Sequence, residues 1–320
     1  MPQITFLEAV TQAIREEMRA DERVFVMGED IETGAWGDFG LSEFGSERVR
    51  STPISEAGFV GAGIGAALTG MRSVIDIQCS AFLYSAMDQL VSQAAKSRYM
   101  FGGQSCIPLV IRATVMYSVS AAAHHSDRPW GLFAQVPGLT ILVPGTPYDA
   151  KGLLKSAIRG RNPVLCFEEL ILRETKGEVP GDDYTVPIGV ADIKSAGTDV
   201  TIVSMGASMQ NSLLAAETLY SEGFSVEVVD LRSIVPLDRK TILQSVKKTG
   251  RLIVVDPAPP MCGVAAEIGA TVAESAFEYL KSPIVRLTAP HIPVPYSLAL
   301  EQCMFPTADS IADAVRKLLA

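Results

Sequence analysis

One glutamate lies in a segment whose residues suit acid–base chemistry. Glu56 belongs to Thr52–Phe59, which reads Thr-Pro-Ile-Ser-Glu-Ala-Gly-Phe, between the strand-like Arg48–Arg50 and an apolar, glycine-spaced helix that we predict to start near Gly58. A buried carboxyl group beside the start of a helix has a raised pKa and a fixed position, so it can share a proton with the ring nitrogen of a heterocycle. We therefore predict that Glu56 is catalytic.

Two of the three histidines, His124 and His125, lie in one polar turn between apolar segments. Residues 124–127 read His-His-Ser-Asp and contain every residue type of a hydrolase triad, but adjacent residues cannot adopt the hydrogen-bond geometry of a triad. Neighbouring histidines in extended chain point to opposite faces, and no third ligand follows at metal-site spacing, so no metal site is predicted. A histidine here is more often structural, yet this turn keeps a role in a site open for one of them.

Phe82 follows the predicted strand Ser73–Ile77 and begins a predicted helix that runs to about residue 100. By itself an aromatic residue at this place is ordinary core. However, open α/β sheets bind ligands just beyond the carboxyl ends of their parallel strands, which is where Phe82 is expected.

The segment Gly61–Ala66 fits the glycine pattern of a dinucleotide-binding turn. The pattern needs a strand before it and an acidic residue about 20 positions later. Both are missing, so we favour the interpretation that small residues allow this helix to pack closely on its neighbours.

Short β-rich runs alternate with helical patterns along the whole chain, which predicts an α/β fold with two parallel-sheet, three-layer domains. The stretch 173–198 contains Pro180-Gly181-Asp182-Asp183 and loses the apolar period, so we predict a linker there. The boundary is expected near residue 185, with domains at 1–185 and 186–320.

Composition indicates a soluble globular protein of 320 residues, 48% of them hydrophobic. No uninterrupted apolar run is long enough to cross a membrane, and Met1-Pro2-Gln3 does not begin a signal peptide, so we expect a cytoplasmic protein without membrane contact.

The net charge of −9 is spread without a basic cluster, which argues against nucleic acid as a partner. The five widely spaced cysteines are expected to be reduced.

Many ordered blocks give the chain a family resemblance. They are Gly28–Asp30, Thr52–Phe59, Asp88–Gln89, Ala94–Lys96, Gly102–Gly103, His125–Ser126, Pro137–Leu139, Thr146–Leu153, Asn162–Val164 and Pro295–Tyr296. With them the chain resembles the beta subunit of the thiamine diphosphate-dependent decarboxylating component of 2-oxo acid dehydrogenase complexes, the pyruvate, acetoin and branched-chain group of the transketolase-like superfamily.

The resemblance implies a thiamin-binding pyrimidine domain followed by a transketolase C-terminal-like domain, in an α₂β₂ heterotetramer whose thiamine diphosphate lies across the α/β interface. In this family the alpha subunit holds Mg²⁺ and the diphosphate through a Gly-Asp-Gly motif with a downstream asparagine. Because this chain has no such element, we expect no metal ligands in it and no activity without an alpha subunit.

The resemblance also implies roles for three residues. Glu56 matches the glutamate that hydrogen-bonds the aminopyrimidine ring and promotes its imino tautomer. Phe82 matches an aromatic residue against the pyrimidine, and His125 matches a histidine near the reacting carbon, where it steers or protonates the acyl intermediate.

Four functions follow from these patterns. The first is decarboxylation of a small 2-oxo acid with transfer of the acyl group to the lipoyl carrier of an acyltransferase. The second is a two-subunit thiamine-dependent carboligase, or transketolase-like synthase, that uses a small-molecule acceptor. The third is a non-catalytic subunit in which Glu56 only starts a helix, and the fourth and most distant is a nicotinamide dehydrogenase.

Several positions depart from the family pattern. The family has a glycine-bearing loop before its His-Ser-Gln unit, whereas this chain has side chains throughout Arg112–Ser120. Met116 and Tyr117 are therefore expected to narrow the pocket, and Asp127 to favour the protonated form of His125.

Two further departures lie outside this loop. Gly160 replaces an aspartate of the family's potassium-binding turn, so we do not expect a bound cation. His291 replaces a common aspartate, and the sequence gives it no role.

Overall fold

The computed structural model describes residues 1–320, which form eleven α-helices and fourteen β-strands. The helices are α1 (Phe6–Ala20), α2 (Leu41–Phe44), α3 (Glu56–Leu68), α4 (Ala95–Met100), α5 (Trp130–Ala134), α6 (Pro147–Arg159), α7 (Gly206–Ser221), α8 (Arg239–Thr249), α9 (Val264–Ala276), α10 (Leu298–Gln302) and α11 (Ala308–Leu319). None of the helices combines the length and the apolar character needed to cross a membrane.

The strands belong to two large sheets and one small one. They are β1 (Gln3–Thr5), β2 (Val24–Glu29), β3 (Val49–Thr52), β4 (Arg72–Cys79), β5 (Leu109–Val115), β6 (Thr140–Leu142), β7 (Val164–Glu169), β8 (Lys176–Glu178), β9 (Asp192–Ser195), β10 (Val200–Ser204), β11 (Val226–Asp230), β12 (Ser233–Val235), β13 (Leu252–Asp256) and β14 (Val285–Thr288).

The first sheet has seven strands in the order β12-β6-β7-β5-β4-β2-β3. Six of them are parallel, whereas the edge strand β12 pairs antiparallel with β6. Since β12 comes from the C-terminal half of the chain, the two halves are joined through this sheet.

Alternating side chains of the first sheet face two helical layers. In β4, Val74 packs in the cluster that contains α1 and α6, whereas its neighbour Ile75 packs in the cluster that contains α3. Val110 and Ile111 of β5 divide in the same way. This is the three-layer arrangement predicted for a parallel sheet with both faces covered.

The second sheet has the order β14-β13-β10-β11-β9, with β9 antiparallel at its edge. Residues of α7 and α11 pack on one face, and residues of α8 and α9 on the other. Both large sheets are thus mostly parallel, and the fold class is the predicted one.

The stretch predicted as a linker contains two strands, which is a difference from the prediction. β8 pairs antiparallel with β1, and β9 joins the second sheet. Both strands are short and mostly polar, Lys-Gly-Glu in β8 and Asp-Ile-Lys-Ser in β9, so neither gives an apolar strand pattern in the sequence. The domain boundary near residue 185 stays a prediction.

The long helix predicted from Phe82 to residue 100 is three consecutive helices. A 3-10 helix covers Ser80–Ala86, a π-helix covers Asp88–Ala94, and α4 completes the segment. Such irregular helices often occur at functional sites.

The two large sheets share an apolar core. One cluster of buried side chains extends from Ile64 and Ile75 through Trp130 and Phe133 of α5 to Val254 of β13. The indole Nε1 of Trp130 also donates a hydrogen bond of 3.1 Å to Asp256. The domains are therefore packed against each other as well as linked by the chain.

Candidate active site

Four strands of the first sheet end at the same edge, and the segments that follow them contain the candidate residues. Glu29 at the end of β2 is in register with Thr52 at the end of β3. At the same edge Cys79, the last residue of β4, is in register with Thr114 of β5. Parallel sheets place ligand sites at this carboxyl edge, so the structure brings the predicted residues to the place where chemistry is expected.

Glu56 is the first residue of α3, and the helix starts two residues earlier than predicted. The buried face of α3 begins at Phe59, one turn later, so the Glu56 side chain is partly exposed in this chain. The expectation that Glu56 is buried is therefore wrong for the single chain. As the sequence indicates, Glu56 lies between a strand, β3, and a helix, α3.

A second carboxylate, Glu29, lies close to Glu56. Burial raises the pKa of Glu29, and the negative charges of Asp30 and Glu56 raise it further. The backbone carbonyl of Glu29 accepts a hydrogen bond of 3.1 Å from Gln78 Nε2 at the end of β4. The sequence analysis did not identify Glu29 as a site residue, although an acidic residue ending a buried strand is a signal that could have found it.

Phe82 and His125 are in direct contact. Their ring centroids are 5.4 Å apart with an interplanar angle of 66°, an edge-to-face arrangement. Nδ1 of His125 lies 3.1 Å from the carbonyl oxygen of Ala121. Because a carbonyl can only accept, Nδ1 is the donor and Nε2 is left free for other partners.

Glu56 and Phe82 lie on neighbouring elements, because α3 packs against the 3-10 helix that carries Phe82. Glu56, Phe82 and His125 are thus brought to one edge of the sheet from three separate segments. Their roles in catalysis stay predictions.

Asp127 does not pair with His125, contrary to the prediction. Its carboxylate accepts a hydrogen bond of 3.0 Å from the Tyr84 hydroxyl, and its backbone carbonyl accepts one of 2.5 Å from Ser80 Oγ. Burial, together with the Asp127 charge, raises the pKa of Tyr84. The 3-10 helix thus provides the partners of Asp127.

A cleft of about 300 Å³ lies between the two domains beside this Tyr84–Asp127 pair. Residues 258–263 and His291 of the C-terminal half form its other side. His291, which had no role from the sequence, is therefore a cleft residue.

Met116 and Tyr117 are not among the residues that line this cleft. Met116 is buried, and the Tyr117 ring packs edge-to-face on Phe305 with centroids 4.7 Å apart. In this structure Tyr117 packs against the C-terminal part of the chain.

A buried ionic network lies one layer below the carboxyl edge. Arg112 of β5 donates to Asp76 of β4 at 2.6 Å, and through Nε and Nη2 to Glu168 of β7 at 2.8 and 2.7 Å. Burial raises the pKa of Asp76, while Arg112 opposes this shift. The bidentate pairing fixes three adjacent strands beneath the candidate site.

The turn after α6, which contains Gly160, has an arginine contact. Arg72 Nη1 donates to the carbonyl oxygens of Ile158 and Gly160 at 2.8 and 2.7 Å. A guanidinium cation therefore already bonds two carbonyls of this turn.

Two family models match most of the chain. Residues 2–179 match the pyrimidine-binding domain of transketolase, and residues 189–311 match the transketolase C-terminal domain. Fold and site together define a two-domain transketolase-like protein. A solved structure described as a split-gene transketolase, an inactive beta4 tetramer, has the same fold with a TM-score of 0.82, 22% identity and coverage of 99% of this chain and 98% of that chain.

Curated relatives define the family more narrowly. The beta subunit of acetoin:2,6-dichlorophenolindophenol oxidoreductase from Bacillus subtilis strain 168 is 44% identical, over 99% of this chain and 97% of its own length. The beta subunit of the pyruvate dehydrogenase E1 component from the same organism is 42% identical, over 100% and 99%. The chain belongs to this family of beta subunits of thiamine diphosphate-dependent 2-oxo acid dehydrogenase components, and is therefore an enzyme subunit.

Proposed function

We propose that the chain, together with an alpha subunit, decarboxylates a small 2-oxo acid and transfers the acyl group to a lipoyl carrier. The observation that carries the proposal is the gathering of Glu29, Glu56, Phe82 and His125 at one carboxyl edge of the first sheet. These side chains comprise two carboxylates, an aromatic ring and an imidazole with a free nitrogen, which suits proton transfer to and from a heterocyclic cofactor.

The residues present fit thiamine diphosphate. Glu56 is partly exposed and Phe82 is half-buried, so both side chains are accessible from outside this chain. Such access is expected where the cofactor is shared with a second subunit. When bound, this cofactor supplies an electron sink for the charge left by cleavage of the bond next to the 2-oxo carbon.

The chain's own residues would orient the reactants and move protons. The Glu56 carboxyl would exchange a proton with a ring nitrogen. Burial, together with the negative charges that Asp30 and ionised Glu56 carry, favours the neutral form of Glu29. The Phe82 ring restricts where a flat heterocycle can lie. His125, with Nδ1 bonded to Ala121, would present Nε2 as proton donor or acceptor at the reacting carbon.

The partner subunit would complete the site. We propose that an alpha subunit holds Mg²⁺ and the diphosphate, in an α₂β₂ heterotetramer that delivers its product to a lipoyl acyltransferase. In this chain no cluster of three or more His, Cys, Asp or Glu side chains is arranged to hold a metal ion. The cytoplasmic location stays a prediction.

Two kinds of substrate are candidates for this subunit and its partner. The relatives named above are called subunits of a pyruvate dehydrogenase and of an acetoin oxidoreductase, so we propose pyruvate-like 2-oxo acids first and acetoin second. Decarboxylation releases carbon dioxide, whereas cleavage of acetoin releases acetaldehyde. The two products distinguish the substrates directly.

The catalytic test is Glu56→Gln in the complex co-purified with its alpha subunit. The amide keeps the size of the side chain but cannot transfer the proton, so we expect thiamine diphosphate-dependent turnover to fall by about 100-fold or more. Carbon dioxide is measured with pyruvate and branched 2-oxo acids, and acetaldehyde with acetoin. The control is Glu274→Gln, which changes an exposed glutamate on α9 in the same way and should retain full turnover.

Unchanged turnover in Glu56→Gln would contradict the proposal and favour a structural subunit. The acceptor is tested separately with an isolated lipoyl domain and a panel of small aldehydes. Acylation of the lipoyl domain supports the proposed function, whereas carbon–carbon bond formation without lipoyl acylation supports the carboligase.

A further inference from the structure

The loop that carries His125 covers residues 116–129, between β5 and α5, and a buried carboxylate attaches it to the C-terminal part of the chain. Glu301 of α10 is fully buried, and its two oxygens accept hydrogen bonds from the backbone amides of Ser118 and Ser120, at 3.0 and 3.2 Å. Glu301 is the one side chain of the C-terminal half that accepts hydrogen bonds from backbone amides of this loop. The contact joins residues more than 180 positions apart.

The backbone of this loop has an unusual conformation. Ser118, Ser120 and Ala122 have φ values of 61°, 54° and 61°, which lie in the left-handed region that L-residues with side chains seldom adopt. Alternating backbone conformations of this kind point successive amides into one concavity that binds an anion. The Glu301 carboxylate is the anion in this case: its two oxygens accept from the Ser118 and Ser120 amides and hold the left-handed residues in place.

Both ends of the loop are also held by the same C-terminal segment. Tyr117 packs edge-to-face on Phe305, and the Arg128 guanidinium carbon lies 3.9 Å from the centroid of the Phe305 ring. Glu301 and Phe305 thus fix the loop at its beginning, its middle and its end.

The loop in turn sets the orientation of His125. The carbonyl of Ala121 accepts from His125 Nδ1, and the carbonyl of Ala122 accepts from the His125 backbone amide at 3.3 Å. Both carbonyls belong to the turn that follows the amides held by Glu301. Their directions depend on the left-handed residues Ser120 and Ala122.

We propose that Glu301 is a positioning residue for His125. It acts through the Ser118 and Ser120 amides to hold the carbonyl that fixes the imidazole, and does not itself touch substrate. The inference rests on the proposed function, because it assigns Glu301 to the step that His125 performs.

The test compares Glu301→Gln, Glu301→Asp and the Glu274→Gln control in the co-purified complex. Glutamine has no charge and only one acceptor oxygen. Its NH₂ group would face one of the two backbone N–H groups, so one of the two hydrogen bonds is lost. We expect faster hydrogen–deuterium exchange in residues 116–125 and a roughly 10- to 100-fold lower kcat, with KM changed less than twofold. Aspartate keeps the charge and should restore part of kcat.

A double-variant measurement separates positioning from general loss of structure. If Glu301 acts through His125, adding Glu301→Gln to His125→Ala lowers kcat no further. Additive losses of kcat, or an unchanged kcat in Glu301→Gln, would overturn the assignment. Unchanged exchange in residues 116–125 would overturn the anchoring itself. The proposed function fails by a different result, namely full turnover of Glu56→Gln and His125→Ala.

Discussion

Among single residues, Arg112 has the largest predicted effect on stability. Its guanidinium compensates two buried carboxylates, Asp76 and Glu168, and all three side chains are almost completely inaccessible to solvent. Replacing Arg112 with Met leaves both carboxylates buried without a cation, so we expect the free energy of unfolding to fall by about 3–5 kcal/mol. Urea unfolding of the purified protein measures this change.

The loss caused by Arg112→Met should depend on pH. Burial raises the pKa of Asp76 and Arg112 opposes this shift, so removing the guanidinium raises the pKa further and the folded state keeps a proton that the unfolded state has lost. Stability is then kept at low pH and lost as pH rises, and the deficit at pH 8 should exceed that at pH 5. Arg50→Met, which removes an exposed arginine, should show neither effect. An equal deficit at both pH values would contradict the explanation.

Among the helices, α3 shows how two glycines of one helix can differ in their tertiary surroundings. A Cβ atom at Gly63 would lie 2.8 Å from Ile75 Cδ1 and 3.1 Å from Ile75 Cγ1, whereas a Cβ atom at Gly65 would meet nothing within 4 Å. Gly63 faces the sheet and Gly65 is exposed.

Two alanine variants of α3 are therefore expected to change the free energy of unfolding in opposite directions. Gly63→Ala overpacks the contact with Ile75 and should lower the free energy of unfolding by about 1–3 kcal/mol. Gly65→Ala should raise it by roughly 0.5–1 kcal/mol, because alanine favours an exposed helical position. Thermal unfolding of the two variants provides the measurement, and each is the control for the other. If both variants raised the melting temperature equally, helix propensity alone would explain their stability and the contact with Ile75 would have no effect.

For the whole molecule, a buried ionic cluster connects the two domains. Asp149 of α6 pairs with Arg232 and Lys194 of the C-terminal half, both at 2.7 Å. Asp192 also pairs with Lys194 and Arg232, at 2.7 and 2.8 Å. Burial first, and the charge of Asp149 second, raise the pKa of Asp230 from 3.8 to about 7, while Lys194 and Arg232 oppose this.

The Asp230→Asn variant should alter the pH dependence of stability. Between about pH 4 and pH 7 the folded state keeps a proton on Asp230 that the unfolded state has lost, so wild-type stability falls as pH rises, by at most about 1.4 kcal/mol per pH unit. Asparagine cannot ionise but can keep the hydrogen bond that Asp230 accepts from the Arg232 amide. The melting temperature of Asp230→Asn relative to wild type should therefore rise from pH 5 to pH 7.5.

The control for this prediction is Asp182→Asn, at an exposed loop position. Its melting temperature relative to wild type should stay constant over the same pH range. A constant difference for Asp230→Asn as well would mean that Asp230 is ionised throughout.

The sequence by itself determined the features that depend on local pattern. Alternation of short apolar runs with helical periods is sufficient to predict two parallel α/β units, because burial on both faces imposes that pattern on every strand. Glu56, Phe82 and the pair His124–His125 could be singled out from local pattern, whereas the choice of His125 and the roles of all three site residues came from the family resemblance. The strands β8, β9 and β12 were not predicted, since each is short and has at most two apolar residues, too few to form an apolar run.

Only the tertiary structure decided which side chains meet. The pairing of Asp127 with Tyr84, the closeness of Glu29 to Glu56 and the hold of Glu301 on the His125 loop all join segments far apart in the chain. Such contacts depend on how layers pack and on where strands end in space, and these are properties of the whole fold. A residue's own neighbours in sequence encode its helix or strand, whereas its chemical partners are set by the long-range packing of the sheets.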